Sequence, residues 1–68
     1  MNEDVLNTSV RRFLKKVGIT SQREIEKAVR DAVGSGRLKG NEALPAKVTL
    51  TVGQVGIAVE ISGDIELE

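Results

Sequence analysis

Arg11, Arg12, Lys15 and Lys16 are the residues of this 68-residue sequence whose types and spacing best suit chemistry. On a helix, four-residue spacing stacks Arg11 beside Lys15 and Arg12 beside Lys16, which makes a compact cationic patch for a phosphate or an acidic partner. The bland reading of the same residues is a solvated helix face whose charge favours the helix carboxyl end, and charge runs on helices are more often of that kind. Gly40-Asn41-Glu42 is a second candidate, a turn whose backbone groups can meet a small ligand; its bland reading is an ordinary turn in a loop pinned by Leu38 and Leu44. The stretch from Gly36 to Gly40 lacks the spacing and the Lys-Ser/Thr of a phosphate-binding P-loop.

Other chemistries lack their residues. Cysteine and histidine are both absent, so there is no disulfide, no thiol nucleophile, no imidazole base and none of the usual zinc or haem ligands. The carboxylates are scattered, without a convergent pair for acid–base work. The expectation is therefore a protein that is not an enzyme and holds neither metal nor cofactor. Phe13 is the only aromatic residue, too few for a stacking platform on single-stranded nucleic acid. No apolar run approaches the length of a membrane span, and Met1-Asn2-Glu3-Asp4 is acidic where a signal peptide is basic, so no membrane role and a cytoplasmic location are expected.

These residues must be positioned by a small structure. A chain of this length makes one domain, 1–68, whose core contributes only about 3 to 5 kcal/mol net, and without disulfide or metal the remaining reinforcement is oligomerisation. The formal charge is zero but polarised: up to Pro45 there are nine Lys/Arg against six Asp/Glu, while from Ala46 Lys47 stands against Glu60, Asp64, Glu66 and Glu68. Such a dipole suits complementary self-association or an anionic partner.

Val5, Leu6, Val10, Phe13, Leu14 and Val17 repeat at helical spacing behind an Asn2 cap and acidic Glu3 and Asp4, and Gly18 offers a stop. A first helix is expected at about 3–17. Ser21-Gln22-Arg23-Glu24 fits a capping box, followed by Ile25, Ala28, Val29, Ala32 and Val33 and closed by Gly34-Ser35-Gly36. A second helix is expected at about 21–34. A helix-turn-helix DNA reader is disfavoured, because a third helix is missing and Glu24, Glu26 and Asp31 dilute the basic residues of the second.

After Pro45 the apolar period becomes two, giving strands at about 46–52 and 57–67 joined by Gly53-Gln54-Val55-Gly56. The register that keeps one face apolar sets Val52 opposite Ile57, Leu50 opposite Val59 and Val48 opposite Ile61. In that register Asp64 lies opposite Pro45, and Ile65 and Leu67 run on beyond the first strand. They belong either to a third strand folded back or to a long strand, bent or bulged at Gly63, whose end pairs with a second chain; the long strand is favoured.

The segments TSQREIEKAV (Thr20 to Val29) and LKGNEALPAKV (Leu38 to Val48) resemble those of a family of short uncharacterised bacterial proteins of about this length. The resemblance covers nearly the whole chain. It implies a small bacterial cytoplasmic protein without an assigned activity, and no site residue is carried over from it.

The expected fold is α+β, with two amino-terminal helices packed on one face of a carboxyl-terminal antiparallel hairpin or three-stranded meander. Val5, Leu6, Val10, Phe13, Leu14, Val17, Ile25, Val29, Val33, Val48, Leu50, Val52, Ile57, Val59, Ile61 and Ile65 are expected to form its core. The function expected is a non-catalytic protein-interaction module that self-associates as a homodimer through the carboxyl-terminal strand, with Ile65 and Leu67 as its contacts. The alternative is a weak binder of nucleic acid or another anion through Arg11, Arg12, Lys15 and Lys16.

Overall fold

The computed structural model describes residues 1–68. The chain divides into two compact units, Met1–Arg37 and Leu38–Glu68.

The first unit is one helix, α1, running without interruption over Glu3–Gly34. Its start is the expected one. Extended Asn2 accepts the N–H groups of Asp4 at 3.0 Å and Val5 at 3.2 Å through Oδ1, while Glu3 and Asp4 set negative charge on the first turn. Its end also lies where Gly34-Ser35-Gly36 put it: the Ser35 N–H donates to the Asp31 carbonyl and the Gly36 N–H to that of Val33, closing the last turn.

The two expected helices, about 3–17 and 21–34, are therefore a single one, and the turn placed at Gly18-Ile19-Thr20 does not exist. A glycine inside a helix costs only about 1 kcal/mol relative to alanine, and no proline stands between Glu3 and Gly34 to enforce a break. The apolar phase also survives the supposed turn. Leu14, Val17, Ser21, Ile25 and Ala28 keep the three-and-four spacing, so Ser21 occupies a place on the stripe inside the helix instead of capping one.

The second unit is a two-stranded antiparallel hairpin of β1 (Ala43–Val52) and β2 (Ile57–Glu66). Val52 lies opposite Ile57, Leu50 opposite Val59 and Val48 opposite Ile61, the register that keeps one face apolar. A single 3₁₀ turn over Gly53–Val55 joins the strands, closed by the Gly56 N–H on the Gly53 carbonyl at 3.2 Å; Gly56 takes the left-handed conformation (φ 69°).

There is no third strand. β1 begins before Pro45, so that Pro45 faces Asp64, Leu44 faces Ile65 and Ala43 faces Glu66, and the Leu67 N–H donates to the Glu42 carbonyl at 3.1 Å. The end of β2 thus has its partner within its own hairpin. The pairing runs residue for residue through Ala46 and Gly63, without a bulge. Proline is tolerated because alternate residues of an antiparallel strand turn their amides away from the partner. With Glu42 bonded to Leu67, Pro45 is one of those facing outward and breaks no rung.

The expected core is also corrected. None of its residues is buried; Phe13 and Leu14 are half exposed on α1, as are Val59 and Ile61 on β2. The pattern of one apolar side per element is present, and neither the helix nor the two-stranded hairpin encloses its own apolar side.

Candidate functional site

Arg11, Arg12, Lys15 and Lys16 all lie exposed on α1, each pair four residues apart and so neighbours along the helix surface. Neither ion pair of the chain involves them. Those pairs are Arg30 with Glu26 at 3.3 Å, where Glu26 also accepts from Gln22 at 3.1 Å, and Lys47 with Glu60 at 3.6 Å across the hairpin. The four cations are thus free to meet an anion. Arg12 also borders a depression with Asn2, Asp4, Val5, Thr8 and Ser9, and Lys16 one with Phe13, Val17, Thr20 and Ser21.

The Gly40-Asn41-Glu42 turn has a different use for its backbone. The Glu42 carboxylate accepts three successive amides, from Lys39 at 2.8 Å through Oε2 and from Gly40 at 2.9 Å and Asn41 at 3.1 Å through Oε1. Gly40, with φ 102°, supplies a conformation that side-chain-bearing residues rarely adopt. The amides that a small anion would use are therefore filled from within the chain. The Lys39 and Gly40 N–H groups, in that order, hold the Glu42 carboxyl below its ordinary value, against a smaller opposing effect of desolvation. Sequence reasoning named these residues but missed the carboxylate. Its signal was a glutamate two and three residues after amides in a glycine turn.

On the hairpin, Leu44, Ala46, Val48, Leu50 and Val52 share one face with Ile57, Val59, Ile61, Gly63 and Ile65. No charged residue interrupts it. The opposite face carries Lys47, Thr49, Thr51, Glu60, Ser62, Asp64 and Glu66. Ile65 and Leu67 are half-buried at the open end of the hairpin, where Leu38, Gly40, Glu42 and Leu44 are half-buried too.

Both hairpin edges resist strand addition. The outer edge of β1 includes Pro45, which has no N–H to offer, and the outer edge of β2 carries Glu60, Asp64 and Glu66, which repel their own copies.

A family of unknown function, DUF6494, matches residues 1–68. The chain belongs to that family. No curated protein and no solved structure matches it. No group of three or more His, Cys, Asp or Glu side chains is placed to hold a metal ion, and no helix is long and apolar enough to cross a membrane.

Proposed function

We propose that this chain is a non-catalytic protein-interaction module of the bacterial cytoplasm, and that its first partner is itself. One observation carries the reading: neither the helix nor the hairpin buries a side chain within itself, and large apolar residues on both stay 36% exposed or more. Apolar faces of this continuity mark contact surfaces, and a domain of this size without disulfide or metal gains its missing core by association. The absence of histidine and cysteine supports the non-catalytic part. The bacterial and cytoplasmic part rests on the resemblance of the Thr20–Val29 and Leu38–Val48 segments.

Sedimentation equilibrium from micromolar to near-millimolar protein tests it. A mass above one chain that rises with concentration is expected, and a one-chain mass over the whole range rejects self-association.

The unpaired Arg11, Arg12, Lys15 and Lys16 favour a second reading, a weak binder of phosphate-bearing partners. Its mark is binding of a generic duplex that weakens steeply with salt. Affinity that does not change with salt rejects it.

A further inference from the structure

We infer that the apolar face of the hairpin is covered by the α1 stripe of a second copy, reciprocally, so that two chains place helix on hairpin twice about a two-fold axis. The inference rests on the self-association reading and names its contact.

Charge decides among the pairings. Residues 1–37 carry eight Lys/Arg against five Asp/Glu, and residues 38–68 carry two against five. Hairpin on hairpin sets two acidic units together and leaves both helices bare; helix on helix sets two basic units together and leaves both hairpins bare. Helix on hairpin joins opposite charges, and the reciprocal arrangement covers all four apolar faces at once.

The dimensions agree. The stripe from Leu6 to Val33 spans about 40 Å at the helical rise, and the ten-residue strands about 33 Å. An isolated two-stranded hairpin is marginal in water, and a helix packed on its face is a layer that stabilises it. Pro45 on one edge and the carboxylates of the other disfavour strand addition, which leaves that face as the contact surface of the hairpin.

The natural chain has no cysteine, so single-cysteine variants report the contact directly. Leu14→Cys and Ile25→Cys on α1, and Val48→Cys and Val59→Cys on the hairpin, are prepared as full-length chains. Each is treated with a short bis-maleimide, alone and after unfolding and refolding with a partner variant; circular dichroism checks each fold, and sedimentation gives the mass. Two-chain mass is expected, with cross-links that form when a helix variant is mixed with a hairpin variant and not in either alone. Cross-links in hairpin variants alone or helix variants alone overturn the proposal while self-association survives. So does a two-chain mass with no mixed link at either hairpin position. A one-chain mass for the natural protein removes the proposal together with the reading beneath it.

Discussion

The Glu42 carboxylate accepts the Lys39 backbone N–H at 2.8 Å, the shortest of three hydrogen bonds from backbone amides that fold the turn leading into β1 around a single side chain. The same residue's carbonyl receives the Leu67 N–H, so Glu42 ties this turn to the last residues of the hairpin. Its carboxyl is held below the ordinary value by the Lys39 and Gly40 amides. The folded chain therefore binds fewer protons there than the unfolded chain does. The stabilisation is complete above the ordinary glutamate value and is lost as pH falls through the depressed one. Thermal unfolding followed at a series of pH values should show a lower midpoint on acidification, and Glu42→Gln should flatten that dependence. An identical slope in the variant would rule out this role.

Gly18→Ala should stabilise α1 by about 1 kcal/mol, because the position is helical and, beyond the helix's own neighbouring backbone, an added Cβ meets nothing within 4 Å. Circular dichroism should show equal or greater helicity and a higher unfolding midpoint. A drop in helicity would mean that the chain turns at Gly18 after all.

Val59→Asp sets a charge in the apolar face, whereas Thr51→Lys alters the opposite face. Burying a valine is worth about 1.5 to 3 kcal/mol, so the aspartate should weaken self-association at least about tenfold, and the lysine should change it little. Sedimentation of both variants checks the pair. Equal effects would show that association does not use this face.

Arg11→Glu with Lys15→Glu should leave helicity unchanged and alter stability by about 1 kcal/mol or less, since both side chains are exposed and outside any ion pair. The double variant should also lose salt-dependent binding to a generic duplex. Loss of cooperative unfolding would assign these residues to structure, and retained duplex binding would remove them from any anion site.

Local chemistry was legible in the residues themselves. Asn2 caps the next amides and Gly34-Ser35-Gly36 ends the helix, each through neighbours a few positions away, and the alternation from Val48 to Ile61 about a short turn admits one register. Gly18 and Ser21 carried a false stop. Turn and cap propensities are worth about 1 kcal/mol, and the unbroken apolar phase from Leu14 to Ala28 across them was the better guide.

The fate of Pro45 and Ile65 was decided only in three dimensions. Whether the strand continues past a proline depends on which way that residue's amide points, which is set by pairing with a segment some twenty positions away. The Glu42 carboxylate is a similar case, since glutamate is a common solvent residue until the turn at Gly40 brings three amides to its oxygens. Periodicity located the apolar sides of α1 and of the hairpin. That neither unit covers its own apolar side was settled by the structure, because burial depends on what lies across a face, and a residue pattern records only the face itself.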